Sequence, residues 1–324
     1  MGPVPSGESV LAECIAEDIW AVKMPLNAPS PKHTLTYVVR DSDGGAHVID
    51  PGWDTVDARP TLLRAMEGIG LRPESIRTLI LTHAHRDHFG FARDLRAAFG
   101  AEIVMSSVES ENLEIARDPG WPSYRDVRSR CMRFGVPQSR VGEIEAAAEY
   151  SLSNFLAGGK ADQVLEDGDA LAIPGRHLTA RWTPGHTAGH LCFVDEDAGI
   201  IFTGDHVLPG IHPGYGLGGP GIGNPLRAYL SSLEAVKKYD DFLVAPGHEY
   251  VFRGIRERAT AIGRYHLGRV EEVREQLQLG IDRVWDIASR VTWSIGFETL
   301  TGNRLRLALE QIAYIVDFCE RTEA

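Results

Sequence analysis

Cysteine is scarce in this chain of 324 residues. The four present, Cys14, Cys131, Cys192 and Cys319, stand far apart and form no Cys-x-x-Cys pair. That excludes paired-cysteine redox and zinc motifs and reads as reduced packing thiols of a cytoplasmic protein. No stretch approaches the about 18 apolar residues of a membrane span, so no membrane partner is expected. The N-terminal residues lack a basic segment followed by an apolar run, so no secretory signal is expected. Basic residues are outnumbered: 33 Lys and Arg against 45 Asp and Glu give a formal net charge of -12. A phosphate backbone is therefore not the default partner. Gly-x-Ser-x-Gly, the mark of one class of serine nucleophile, is also absent.

What remains is ordinary globular composition, 43% hydrophobic and 24% charged. Residues 1–10, rich in Pro, Gly and Ser, read as disordered. "HTLTYVVR" and "AHVIDPG" flank an Asp/Gly turn and predict a hairpin. "ARPTLLRAMEGIG" predicts a helix with a glycine stop, "IRTLILT" a buried strand, "DHFGFARDLRAAFG" a helix from near Asp87, and "AEIVMSS" another strand. Residues 107–160, with Trp121, Tyr124, Arg125, Arg128 and Met132, look helical. They form an insertion that is either a lid over a site or a plain helical layer. Strands return in "DALAIPG", "HLTARWTPG", "HLCFVDEDAGIIFTGD" and "FLVAPG". Residues 11–252 thus read as one α/β domain and residues 253–324 as a helical C-terminal region. Leu305, Leu309, Ile312, Val316 and Cys319 form a helical stripe that suits core or a homodimer face.

The chemistry concentrates in "LTHAHRDHFG", residues 81–90. His83 and His85 are two apart in an extended segment, so their rings project the same way. Asp87 and His88 begin the next turn and point to a neighbouring position. Three further stretches share one grammar of apolar strand, Gly or Pro, then a potential ligand: "WTPGHTAGH" with His186, "IIFTGDH" with Asp205, and "FLVAPGHEY" with His248. Loops at converging strand ends carry chemistry. Imidazoles with carboxylates suit zinc, with iron or manganese as alternatives.

This constellation resembles the metallo-β-lactamase-fold hydrolases over roughly residues 14–255, and within them the glyoxalase II and lactonase branch. The His-x-His-x-Asp-His motif is complete in His83, His85, Asp87 and His88, and "VIDPG", "TPGHTAGH", "FTGDH" and "APGH" follow in the family's order. The resemblance implies a four-layer αβ/βα sandwich of two mixed sheets. It also implies two metal ions, the first held by His83, His85 and His186, the second by Asp87, His88 and His248, with Asp205 between them. It assigns Asp50 to orienting a ligand histidine. True β-lactamases usually carry cysteine at the Asp205 position. Acyl-homoserine lactonases place a tyrosine three residues after the bridging aspartate, where this chain has Leu208.

The expected activity is hydrolysis of an ester, thioester or lactone in a small-molecule substrate. A metal-bridging hydroxide would attack the carbonyl, with Asp87 and Asp205 as catalytic residues. His190 and His206 sit beside ligands and are candidates for supporting a ligand or touching substrate. The Gly/Pro-rich segment 206–225 is expected to line the pocket, with His212 and Tyr215 as its polar contacts. His33, His47, His177 and His266 read as structural or exposed. Two other activities use the same ligands. A phosphodiesterase or ribonuclease would draw on Arg253, Arg256, Arg258, Arg264 and Arg269, although glutamates interleave them as on a solvated face. An iron-dependent persulfide dioxygenase would replace zinc by iron.

Overall fold

Alternation along the strands explains how two sheets come to lie face to face. The computed structural model of the chain describes residues 11–26, 31–118, 126–219 and 221–320. Residues 1–10 and Trp121, Tyr124 and Arg125, for which the sequence raised expectations, lie outside the described residues. The first half runs β1 (Ala12–Ala16), β2 (Ile19–Pro25), β3 (His33–Arg40), β4 (Ala46–Ile49), α1 (Ala58–Gly68), β5 (Ile76–Ile80), α2 (Arg86–Phe89), α3 (Ala92–Phe99) and β6 (Glu102–Ser106). Then come α4 (Ser107–Arg117), α5 (Val127–Phe134), α6 (Gln138–Ala157) and β7 (Gln163–Leu165). These seven strands form one mixed sheet in chain order, antiparallel from β1 to β4 and parallel from β4 to β7. The second half supplies β8 (Leu178–Trp182), β9 (Leu191–Asp195), β10 (Ile200–Gly204), α7 (Pro225–Val236), β11 (Leu243–Pro246), α8 (Ile255–Gln278), α9 (Val284–Ala288) and α10 (Gly302–Glu320). Its sheet has the order β11-β10-β9-β8, with β10 and β11 parallel and the other pairs antiparallel.

On β3, Leu35, Tyr37 and Val39 face a core shared with Phe193, Phe202 and Ala245 of the other sheet. Val38 points the opposite way, into a cluster with Leu62 and Met66 of α1 and Leu95 of α3. On the second sheet Cys192, Val194, Ile201 and Val244 point outward into a cluster with α7, α8 and α10. The period of two thus builds helix, sheet, sheet and helix layers. Each large apolar side chain withdrawn from water in these clusters stabilises the chain by roughly 1.5–3 kcal/mol. The four-layer sandwich with two mixed sheets and a helical C-terminal region is the architecture the sequence predicted.

Two local expectations change. "DALAIPG" makes no strand: Leu171 and Ile173 are buried between the sheets, but the segment pairs only through an isolated bridge of Ala170 with Thr179. Pro174 has no N–H to extend a ladder. The helix expected from Asp87 to Phe99 is two pieces, α2 and α3, parted at Gly90-Phe91. The C-terminal stripe is spent inside the chain. Leu305, Leu309, Ile312 and Cys319 are buried on α10 among residues of β9, β10, α5 and α6, with Ile315 replacing the half-buried Val316 on that face.

Leu309→Ala is expected to lower unfolding free energy by about 2–5 kcal/mol. Leu279→Ala, at a position 73% exposed, is expected to stay within about 0.5 kcal/mol of the parent. Urea unfolding of both variants measures the contrast, and equal losses would contradict this placement of α10.

Candidate metal centre

Strand direction delivers the candidate ligands to one edge. β4 and β5 are parallel, so Asp50 and the segment from His83 to His88 leave the same side of the first sheet. In the second sheet β10 and β11 pair parallel, and two antiparallel steps bring β8 into the same direction. Their C-terminal ends carry Asp205, His248 and His186. Links across the sheets close this edge: Leu35 N donates to Gly247 O at 2.7 Å, Leu191 N to Thr82 O at 2.8 Å, and the Tyr37 hydroxyl to Pro246 O at 2.7 Å. Gly247 is required by proximity, because a Cβ there would lie 2.6 Å from both Asp205 Oδ1 and His88 Cε1.

The donor atoms fall into two groups. Atoms of His83, His85, His186 and Asp205 lie within 4.8 Å of one another, and those of Asp87, His88 and His248 form a second such set. The hydrogen bonds of the far ring nitrogens fix which nitrogen is bare. His186 Nδ1 donates to Gly214 O at 2.8 Å and His85 Nε2 to Leu217 O at 3.1 Å. The Thr82 hydroxyl spends its one hydrogen on Asp50 Oδ2 at 2.7 Å, so His83 Nδ1 must donate to that hydroxyl oxygen, 3.0 Å away. His88 Nδ1 donates to Asp50 Oδ2 at 2.9 Å, and His248 Nδ1 to His33 O at 3.0 Å. Every inward nitrogen of these five rings is therefore a lone-pair donor in the neutral form. His85 Nδ1 stands 2.9 Å from His83 Nε2 and 3.1 Å from His186 Nε2. Lone pairs facing each other at that range repel unless a proton or a metal ion lies between them. Zinc, bound by imidazole at about 2.0–2.1 Å, fits that requirement.

Asp205 belongs to both groups by distance: 3.7 Å to His186 Nε2, 3.5 Å to His88 Nε2 and 3.4 Å to His248 Nε2. Asp87 Oδ2 lies 3.3 Å from His248 Nε2 and 3.8 Å from His88 Nε2. Charge divides along the same line. Burial lowers His186 to about 3, with the neighbouring His85 assisting. Burial, then His88, His85 and His186, likewise drive His83 down. Burial also acts to lower His248, but the charge of Asp205 and hydrogen bonds to Asp205 and Asp87 overcome it and push the group up to about 10. His88 is raised against burial by Asp205, Asp87 and Asp50. Without metal, protons favour His88 and His248 beside the carboxylates, while His83 and His186 are held toward the neutral form.

The profile of the metallo-beta-lactamase superfamily matches residues 29–248, a span that includes all of these groups. The chain belongs to the metallo-beta-lactamase superfamily. With the donor set, membership marks it as a metallohydrolase. Curated relatives in the superfamily include hydroxyacylglutathione hydrolase GloC of Haemophilus influenzae, 26% identical over 232 residues, covering 69% of this chain and 89% of the relative. The hydroxyacylglutathione hydrolase of Klebsiella pneumoniae is 24% identical over 231 residues, covering 71% and 68%. A solved metallo-beta-lactamase family protein from Thermus thermophilus shares the fold with a TM-score of 0.77 at 23% identity over 96% of both chains. A beta-lactamase domain protein from Burkholderia ambifaria gives 0.72 at 23% identity, covering 96% and 89%.

The superfamily's sandwich places the other candidates unevenly. Asp50 sits at the centre: it accepts from Thr82 N at 2.8 Å and from the Thr82 hydroxyl, and holds His88, in a left-handed conformation at φ 51°. His190 and His206 are fully buried. His190 Nδ1 lies 2.9 Å from Thr183 Oγ1, and His206 packs edge-on against Tyr229. Tyr215, expected as a pocket contact, is instead buried among Tyr229 and His266, and His212 stacks on Tyr265 at the surface. The segment after Asp205 turns backbone rather than side chains toward the ligands, through the carbonyls of Gly214 and Leu217. Arg258, expected on a solvated face, donates to Leu208 O and Ile211 O of that segment.

Several working groups escaped sequence reasoning. His33, read as structural or exposed, holds His248 by its carbonyl and donates its own Nε2–H to Glu249 O at 3.2 Å. Glu249, at φ 71°, accepts from Gly210 N and Ile211 N. Glu109 is buried on α4, and burial raises its pKa. The signal for Glu109 was present: α4 buries Glu109, Asn112, Leu113 and Ala116, a helical stripe with polar residues where apolar ones belong. Nothing in a sequence marks a carbonyl oxygen.

The raised groups set a sign. His248 lies above the 6.5 of an ordinary histidine. Its stabilisation of the metal-free chain is therefore complete below about 6.5 and is lost as pH rises through about 10. Near neutral pH the metal-free site holds protons that a cation must displace. Zinc uptake is expected to release protons, seen calorimetrically as a binding heat that varies with the buffer's ionisation heat. A buffer-independent heat would contradict the assignment.

Proposed function

We propose that the chain is a two-zinc hydrolase of carbonyl substrates: esters, thioesters or lactones. The observation that carries this reading is the convergence of five inward-facing imidazole nitrogens with Asp87 and Asp205. His83, His85 and His186 would hold one ion, Asp87, His88 and His248 the other, and Asp205 would be shared. Bound divalent ions lower the pKa of a coordinated water from 15.7 to about 7 and polarise a carbonyl oxygen. Asp87, whose side chain is 27% exposed against 12% for Asp205, is the member best placed to meet the attacking water. Its second oxygen would orient that water by accepting a hydrogen bond from it.

The choice of carbonyl over phosphate rests on where the arginines go. Arg86, inside the ligand motif, is committed to Asp54 at 3.0 Å and to Asn154 of α6. Arg258 is committed to loop carbonyls. Neither is aimed at a phosphate. The hydroxyacylglutathione hydrolase relatives add support for a thioester. The bond from Arg86 to Asn154 supports a covering role for residues 107–160, because it ties α6 to the ligand motif. Buried thiols at Cys131, Cys192 and Cys319 and an exposed one at Cys14 support a reducing, cytoplasmic setting. Among the described residues, no helix is long and apolar enough to cross a membrane.

Purified protein is expected to carry two zinc ions and to cleave thioesters or lactones faster than bis-p-nitrophenyl phosphate. Chelation, Asp205→Ala or His88→Ala should lower kcat/KM by roughly a thousandfold or more, in keeping with the several kcal/mol a metal supplies. Iron with oxygen consumption, or faster phosphodiester cleavage, would replace this reading.

A further inference from the structure

The three-histidine group is assembled from two separate loops, and one buried carboxylate holds the turn of the second. Glu109 is 1% exposed on the first turn of α4. Its Oε1 accepts from the hydroxyl of Thr187, the residue after His186, and from Gly189 N at 3.2 Å. Gly189 fits against this turn with no space to spare. A Cβ there would lie 2.5 Å from Glu109 N and from Ser106 Oγ, the cap that accepts from Glu109 N at 3.0 Å. One turn further along, Asn112 abuts Gly219, just beyond the Leu217 carbonyl that holds His85.

Burying a carboxylate is costly, and α4 has no need of one for packing. A leucine on the same stripe would fill the space without that cost. The carboxylate's position supplies the reason. Its Oε1 ties α4 to the His186-Thr187-Ala188-Gly189 turn.

We propose that Glu109 is a positioning residue that holds the turn carrying His186 and thereby sets the affinity of the three-histidine group alone. The proposal rests on the two-ion reading above. It acts through the hydrogen bonds that its Oε1 accepts from Thr187 and Gly189, so it depends on the reach of a glutamate side chain more than on its charge.

The test measures zinc affinity by chelator competition, with no substrate involved. His248→Ala isolates the three-histidine group, and His186→Ala isolates the group of Asp87, His88 and His248. On the first background Glu109→Ala and Glu109→Asp should each weaken zinc binding by about 10–100-fold, the size expected for loss of a group that orients ligands. Glu109→Gln, which keeps reach and acceptor, should remain close to the parent. On the second background all three should leave affinity unchanged. Thermal melting of the metal-free chains checks folding. If Glu109→Ala fails to fold, the contrast between Glu109→Asp and Glu109→Gln still decides. Equal losses on both backgrounds, no loss on the first, or Glu109→Gln behaving like Glu109→Asp would overturn the proposal. A parent chain that binds fewer than two ions would instead overturn the two-ion reading, and would show it before any Glu109 variant is made.

Discussion

Three unprotonated imidazole nitrogens held within about van der Waals contact repel one another, and the rest of the molecule is arranged to keep them there. His83 Nε2, His85 Nδ1 and His186 Nε2 stand 2.9–3.1 Å apart along His85. In water such rings would separate or take up protons. Here burial opposes protonation of His83 and His186, and each outer nitrogen is tied to an oxygen. A metal ion among the three nitrogens would relieve the repulsion and keep the rings as they stand. The neighbouring group solves the same problem differently. Asp87 and Asp205 let His88 and His248 hold protons until an ion displaces them.

Those anchoring oxygens come from both sheets of the sandwich. Asp50 and Thr82 belong to the ends of the first sheet. The carbonyl of His33 begins β3, and those of Gly214 and Leu217 follow β10. The fold therefore does more than bring ligands together. It delivers a fixed acceptor behind each ring, and so sets tautomer and orientation together.

The layers, and the side chains that meet at one edge of them, were legible in the sequence because both follow periodic or motif-like rules. Period two in "HTLTYVVR" separates Leu35, Tyr37 and Val39 from Val38, and the recurring strand-glycine-ligand grammar marks His186, Asp205 and His248. What stayed hidden depended on backbone and on exceptions. Tyr215 looked like a polar contact because it stands among glycines, yet it is core. Those glycines let the chain turn its carbonyls inward and the ring outward against Tyr229 and His266. "DALAIPG" has strand composition, but its proline breaks the ladder. Glu109 was visible as a polar residue on a buried stripe, and only the third dimension shows that the stripe ends against the turn after His186.

The segment after Asp205 carries a consequence for the far end of the chain. Its backbone is gripped by Arg258 and by His266, whose Nε2 meets Pro213 O at 3.0 Å, and Gly214 and Gly216 lie against Gln311 and Tyr314 of α10. Occupancy by an ion and the anchoring of the terminal helix are then two readings of a single equilibrium. An ion held by His85 and His186 would favour the seated position of Leu217 and Gly214 and, through them, of helices that contribute no ligand. Loosening of α10 would in turn be felt as a weaker hold on that ion.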